Sequence, residues 1–475
     1  MSKKHRTKWE KKPWQPVKII YEPTDEDLTA AAGLAPLIDL FQQSPQYEEL
    51  RKCLPERKSN ASYDTGLFAL NYIAGFIYGH DSLDDFQEFE NDPGVEDKLG
   101  SLPSERAMGD YLRDFNQDNI DKLNSFLTRQ ALSGRRAICK DNDVVTIDID
   151  STSHVQSGDK IEGAAWNYKN EWCLDSLVCF DELGLSYNMD LRSGSTFSAV
   201  GGPEMIEQVF SQIPKPKDQT KKHNMRADSA FCNEEFIRKC LLLNLKFTIT
   251  AHDNMNWREK VKNLTQWTQK NYSEDELKKY HKNKKTPPPV EYARFLYEPG
   301  WSDNLRFPVV VKRTWHERET DSLLDTGCWH YYAVITNWNL HSHTLQEVAE
   351  FHAKRGNGEN FIKEEKYGYD LKHFPCQKLL ANQAYGMLAL VAHNLLRTIA
   401  ILDSPDKPHY SKKLRRKYVY LPGRLTKHAR QLVMKVPKRF WAAILQLADI
   451  GKEVLNEHPA WMRPQQAFLV ACNSS

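Results

Sequence analysis

Residues 143–152 read DVVTIDIDST, and the fold is argued outward from them. Within it DVVTIDID alternates and is rich in β-branched side chains, which predicts a strand over 144–150. Side chains alternate between the two faces of a strand, so Asp148 and Asp150 share one face. Two carboxylates on one face of a core strand are costly unless a cation or hydrogen-bond donors satisfy them. Hard divalent cations such as Mg²⁺ take oxygen ligands of this kind. An Asp-x-Asp pair is unspecific by itself, because metal-dependent sugar transferases use one too.

The next segments build a sheet around that strand. CLDSLVCFDE (173–182) and GLSYNMDLR (184–192) read as two further strands, joined tightly through Glu182, Leu183 and Gly184. GGPEMIEQVFSQI (201–213) predicts a helix, and KHNMRADS (222–229) a short strand ending in Asp228. NEEFIRKCLLLN (233–244) predicts a helix and LKFTITAH (245–252) a strand. The expected succession is β-β-β-α-β-α-β. In open sheets ligands gather at strand ends, which makes Asp228 a candidate site residue. A helix N-cap is the ordinary use of an Asp there, although Ser229 could serve instead.

The flanks differ in character. Residues 1–24 form a basic arm, with seven Lys and Arg in the first 22 positions. Residues 25–140 read helical through LAPLIDLF, TGLFALNYIAGFIYG and SLPSERAMGDYLRDF, with Ser104 as an N-cap. They are either a DNA-binding unit or scaffold. Residues 252–345 predict a mainly β insertion domain. It would contain a charged linker, KKYHKNKKTPPP, the strands LRFPVVVKRTW and GCWHYYAVITNW, and six of the 12 Trp. Most of those Trp are expected in its core. Residues 346–402 read helical. The 403–475 region is expected to be helical and basic, with 12 Lys and Arg and no acid between 407 and 439. A run so uncompensated points to a polyanion.

Composition bounds the rest. The chain has 475 residues, 40% hydrophobic and 27% charged, with a net charge of +2. That is globular composition. Nine Cys contain no C-x-x-C pair, which argues against a zinc ribbon and fits a reducing cytosol. No run of 18 uninterrupted apolar residues occurs. Leu379 to Leu402 carries Asn382, Gln383, His393, Asn394 and Arg397, and reads as a buried helix rather than a membrane span.

The last chemical segment is FHAKRGNGENFIKEEK (351–366). On a helix at 100° per residue, His352, Arg355, Glu359, Lys363 and Lys366 fall within about 80° of one another. An exposed salt-bridged face is the plain reading. A carboxylate among cations also suits a metal ligand beside phosphates. Gly356 and Gly358 weaken such a helix by roughly 1 kcal/mol each, which points to close backbone approach or a helix that begins late.

A strand-borne Asp, an Asp after the fourth strand and a Glu on a helix after the fifth are together the layout of an RNase H-like core. Here the chain resembles the DDE transposases of bacterial insertion sequences. It resembles most the thirteen-eighty group, within those that carry a β-insert and the signature Tyr-x2-Arg-x3-Glu-x6-Lys. Arg355, Glu359 and Lys366 keep that spacing, and His352 replaces the Tyr. IDIDST, EGAAWNY, LRSGS, RADSAF, GENFIKEEKYGYDLKHFP and LLANQAYGMLALVAHNLL carry further likeness, over about residues 100–440. Asp228 and Glu359 are 131 residues apart, far more than one helix and one strand need, as an insertion requires.

The resemblance implies an α+β fold. A helical N-terminal domain precedes a core divided into 141–251 and 346–402 by the insertion, and a basic C-terminal region follows. It implies that Asp150, Asp228 and Glu359 are catalytic and hold two Mg²⁺, for which Mn²⁺ can substitute. Asp150 is preferred to Asp148 because Ser151-Thr152 follow it, and Asp148 would support it from behind. His352, Arg355, Lys363 and Lys366, and the cluster Lys412, Lys413, Arg415, Arg416 and Lys417, would contact DNA. The partners implied are double-stranded terminal repeats, target DNA and a second subunit in the DNA complex. Cleavage would precede strand transfer, with a hairpin at the element's end. The alternatives are a structure-specific nuclease, a non-catalytic DNA-binding derivative and a sugar transferase.

Overall fold

The computed structural model describes residues 19–57, 63–100, 102–302, 304–317, 327–428 and 431–462. Most of the basic arm, residues 1–18, lies outside them. The succession expected from 143 to 252 is observed. It comprises β1 (Thr146–Val155), β2 (Trp172–Asp181), β3 (Ser186–Ser193), a helix (Gly202–Gln212), β4 (Asn224–Ala227), a helix (Glu234–Leu242) and β5 (Lys246–Thr250). β2 pairs antiparallel with β1 and β3, while β1, β4 and β5 run parallel. The architecture is a mixed sheet with helices on both faces, compatible with the expected α+β class.

Alternation decides which face each residue takes. Ile147 and Ile149 are fully buried with Met225, Ala227, Phe247 and Ile249 against the helices Gly202–Gln212 and Glu234–Leu242. The opposite face of the β2–β3 hairpin, including Val178, Phe180, Met189 and Leu191, packs in one core with the N-terminal helices. That core includes helix α1 (Thr65–Tyr78), helix α2 (Gln117–Ile138) and the long helix Leu379–Asp403. The long helix is the one described segment long and apolar enough to cross a membrane, and it is buried in the protein. Several of its buried polar side chains bond to the β2–β3 hairpin. Asn394 exchanges two hydrogen bonds with the Ser186 backbone, Gln383 donates to the Met189 carbonyl, and His393 pairs with the Gly184 carbonyl.

Three expectations are corrected. The strands of 252–345 form no sheet of their own. β6 (Val290–Tyr297), β7 (Phe307–Glu317) and β8 (Gly327–Thr336) continue the core sheet, because Ile335 of β8 pairs antiparallel with Ile249 of β5. The apolar run Ala333-Val334-Ile335 caps an edge whose backbone groups would otherwise be unpaired. Part of the supposed linker is a helix, Glu274–Lys282, started by a capping box between Ser273 and Glu276. The C-terminal region is not wholly helical. β9 (Gly423–His428) and β10 (Gln431–Lys435) form a hairpin, and Leu28–Thr29 adds to its edge. The alternation in GRLTKH and QLVMK outweighs the helical reading there. Of the six insertion Trp, Trp257 is buried and the other five are partly covered.

Helix α3 (Leu345–Ala353) and helix α4 (Gly358–Gly368) follow the insertion. Glu365 of α4 is buried with its carboxylate accepting from the Ser186 hydroxyl. Burial pushes that carboxyl up to about 7. The folded chain therefore keeps a proton that the unfolded chain releases near pH 4.5, so this contribution to stability is present in acid and lost as pH rises through about 7. Denaturant unfolding at pH 5 and pH 8 checks it. Glu365→Gln should lose less stability between the two than the native chain, and equal losses would discard the assignment.

Candidate active site and nucleic-acid interface

β1 and β4 stay in parallel register to Ile149 and Ala227, so Asp228 follows the end of β4 while Asp150 lies in the middle of β1, at the point where its pairing with β4 stops. The Asp228 carboxylate caps the short turn Ser229–Phe231, accepting from the Ala230 amide at 2.9 Å. The capping use and the site location thus coincide in one residue, with one oxygen left over. Asp150 accepts from the Ser151 amide at 2.9 Å. Burial raises the Asp150 carboxyl to about 6, and the Asp228 charge adds to that rise while Arg355 opposes it.

Asp148 has a different job. It is 1% exposed and held by Arg226 through two parallel contacts, Nε–Oδ1 at 2.7 Å and Nη2–Oδ2 at 2.6 Å. The third Arg226 nitrogen donates to the Phe351 carbonyl at 3.0 Å. The pair therefore fastens the end of α3 to the sheet, and Asp148 is spent on it.

His352, expected among the DNA contacts, is also buried. Its ring lies within 3.0 Å of the Thr248, Thr250 and Tyr332 hydroxyls. Burial first, then the positive charges of Arg355 and Arg226, lower its pKa to about 3, so it is neutral and part of the same fastening. The single helix drawn through 351–366 is broken. Residues Lys354–Asn357 form a 3₁₀ turn between α3 and α4. Gly358 is required where α4 begins, because a Cβ there would lie 2.6 Å from the Phe180 ring.

The turn delivers Arg355 to the point where β1 and β4 part. Its Nη2 lies 2.9 Å from Asp150 Oδ2 and 3.8 Å from Asp228 Oδ2. Glu359, in the first turn of α4, is exposed. Among the described residues, no group of three His, Cys, Asp or Glu side chains is close enough to hold a metal ion. Two of the three expected ligands are thus brought together around a cation, and Glu359 is not joined to them. Paired carboxylates with an oxygen each turned to a shared positive group are donors of the type Mg²⁺ or Mn²⁺ takes.

The other cations divide. Lys366 reaches the strand, donating to the Ser153 carbonyl at 2.6 Å, and Lys363 is exposed. Lys412, Lys413 and Arg416 are exposed. Arg415 is corrected: it is buried and donates to the carbonyls of Phe76, Ile77 and Gly368, bonding α1 to the end of α4. Lys417 pairs with Asp403 at 2.7 Å.

A groove of about 600 Å³ opens beside Asp228. Its walls include Ser151, Thr152 and Ser153 of β1, the turn Trp166 to Lys169 and the loop Gly194 to Ser198. Trp166, Tyr168 and Phe197 are 64%, 87% and 63% exposed on it. Arg192 braces the loop, pairing with Asp175 through Nε at 3.0 Å and donating to the Ser198 and Val200 carbonyls. Sequence reasoning met these residues only inside EGAAWNY and beside LRSGS and assigned them no role. Aromatics next to Gly, Ser and Asn in a turn were the available signal.

No curated protein matches the chain. A family model does, over nearly its whole length. With two carboxylates, one after β4 and one at the neighbouring point of β1, meeting across one cation in that span, the chain belongs to the family described as transposase DDE domain group 1, matched over residues 14–448.

Proposed function

We propose that this transposase cuts DNA at the terminal inverted repeats of an insertion sequence and joins the freed 3′-hydroxyls to target DNA. One observation carries the reading: in a chain of this family, Asp150 and Asp228 stand side by side where the parallel strands β1 and β4 part, and share one cation. When bound there, two Mg²⁺ or Mn²⁺ ions would supply activation of the attacking oxygen and stabilisation of the leaving one. Asp150 and Asp228 would hold them, and Glu359 of α4 is the carboxylate that would complete the set. Arg226 keeps Asp148 neutralised and α3 in place. Lys363 and Lys366 hold phosphates on the α4 side, and Lys412, Lys413 and Arg416 extend that contact. The basic arm adds to it. The protein works in the bacterial cytoplasm on nucleoid DNA, as a dimer on its paired ends and through a hairpin intermediate.

The aromatic groove receives bases exposed beside the cut. Stacking on such rings is worth about 1–3 kcal/mol per base. Trp166→Ala with Tyr168→Ala should weaken binding of end DNA with an unpaired overhang about tenfold or more, and leave intact duplex nearly unaffected. Fluorescence anisotropy with both DNAs checks this, and equal weakening of the two would remove the groove from base contact.

The test of the whole reading is a cleavage and joining assay on DNA bearing the ends of the element that encodes the chain, with Mg²⁺ or Mn²⁺. Metal-dependent cutting followed by joining supports it. Cutting without joining assigns a nuclease, and binding without cutting a non-catalytic derivative.

A further inference from the structure

We infer that Arg355 is a built-in competitor for the metal site, released by a DNA phosphate, so that the carboxylates accept metal only when DNA is in place. The inference rests on the metal-dependent reading above.

The geometry separates two kinds of arginine in one site. Arg226 grips Asp148 with two parallel hydrogen bonds and gives its third nitrogen to a carbonyl. Arg355 reaches Asp150 and Asp228 through a single nitrogen, Nη2. Its Nε is buried and has no hydrogen-bond partner. The first arginine is fully satisfied and structural. The second holds the two carboxylates with a fraction of its donor capacity and leaves a desolvated N–H unused, which costs free energy.

A phosphodiester offers what this arrangement lacks. Two non-bridging oxygens accept two parallel N–H bonds from a guanidinium, and such forked pairs are the strong ones. The backbone around Arg355 permits the exchange. It stands in the 3₁₀ turn Lys354–Asn357 between α3 and α4, and a side chain at the next residue, Gly356, would meet nothing within 4 Å. Glu359 follows in the first turn of α4 and is exposed, not yet committed to the carboxylate pair.

A guanidinium nitrogen 2.9 Å from Asp150 Oδ2 occupies the space a divalent cation bound to that oxygen would need. Like charges exclude each other there, so metal and the present position of Arg355 are alternatives. If the phosphate draws Arg355 away, DNA and metal bind with positive coupling, and linkage makes the coupling equal in both directions. The DNA-free protein then keeps little loaded metal and does not hydrolyse phosphodiesters it meets in passing.

The experiment measures Mn²⁺ binding by the EPR signal of free Mn²⁺, with no turnover involved. The proteins are the full chain, Arg355→Gln, Arg355→Lys and Asp150→Asn, each with and without duplex DNA bearing the element's ends. The expected result is that DNA raises the Mn²⁺ affinity of the native chain about tenfold or more. Arg355→Gln should bind Mn²⁺ about tenfold tighter than the native chain without DNA, and gain little from adding it. Arg355→Lys, which keeps the charge, should stay weak without DNA. If Arg355→Gln fails to fold, the coupling in the native chain and the Lys variant carries the test. Native-chain Mn²⁺ affinity that DNA leaves unchanged, or a Gln variant that binds Mn²⁺ no better, overturns the inference while leaving metal dependence standing. Mn²⁺ binding that is absent in every protein, or unchanged in Asp150→Asn, overturns the metal-site reading itself and this inference with it.

Discussion

Asp228→Asn is expected to slow end cleavage by about a thousandfold or more, while DNA binding stays within about threefold. The variant isolates one oxygen's charge. An Asn carbonyl can still accept from the Ala230 amide, so the turn Ser229–Phe231 keeps its cap. What goes is the negative charge on the oxygen turned toward Arg355 and Asp150. A thousandfold is about 4 kcal/mol of transition-state stabilisation, a modest share of what metal-held phosphoryl chemistry supplies. Single-turnover cleavage of labelled end DNA at saturating protein gives the rate, and anisotropy gives the binding. Glu359→Gln run beside it asks whether α4 supplies the third ligand. Cleavage by Asp228→Asn at near the native rate would remove Asp228 from the site. A normal rate for Glu359→Gln alone would leave the paired Asp as the whole acidic set.

Arg226→Met should destabilise the fold by about 3–5 kcal/mol. The cost does not come from a lost attraction alone. Asp148 is 1% exposed, and without Arg226 its charge has no close partner in the core. The Phe351 carbonyl loses its donor too, which frees the end of α3. Denaturant unfolding followed by circular dichroism reads the loss. Asp148→Leu combined with Arg226→Met should recover much of it, since an apolar pair leaves no buried charge behind. A double variant no more stable than Arg226→Met would mean that the Phe351 anchor, not the charge, dominates.

Both predictions concern residues whose placement was legible to different degrees. The β1 alternation put Asp150 on the Asp148 face of its strand, and the end of β4 put Asp228 at a strand end, without any long-range information, since period and turn chemistry are local. The preference for Asp150 over Asp148 came from a resemblance, and the pairing of Asp148 with Arg226 had no mark in the sequence. Gly356 and Gly358 marked the helix through 351–366 as one that could begin late, and α4 does begin at Gly358, but a 3.6-residue period did not show that α3 precedes it as a separate helix. The fates of His352 and Arg415 were illegible for a related cause. Whether a cationic or titratable side chain is solvated depends on partners far away in sequence, here Thr248 and Tyr332 for one and Phe76 and Gly368 for the other. The same holds for the pairing of β8 on β5. Each strand was evident alone, but an edge match across 86 residues, Ile249 to Ile335, leaves no local trace.

The strand Leu28–Thr29 completes a sheet whose other two members lie at 423–435. The backbone of Ala32 likewise bonds to the carbonyl of Leu421. During synthesis the N-terminal helices therefore wait for their last partners until nearly the whole chain has been made. At about 5–20 residues per second, that is roughly 20–80 s of translation with an unpaired edge at the N-terminal end. The long helix 379–403 arrives equally late to cover the β2–β3 face. A chain released early would expose both surfaces. A ribosome that stops short therefore yields a product with an unpaired strand edge and an uncovered apolar face, the two surfaces through which incomplete chains associate.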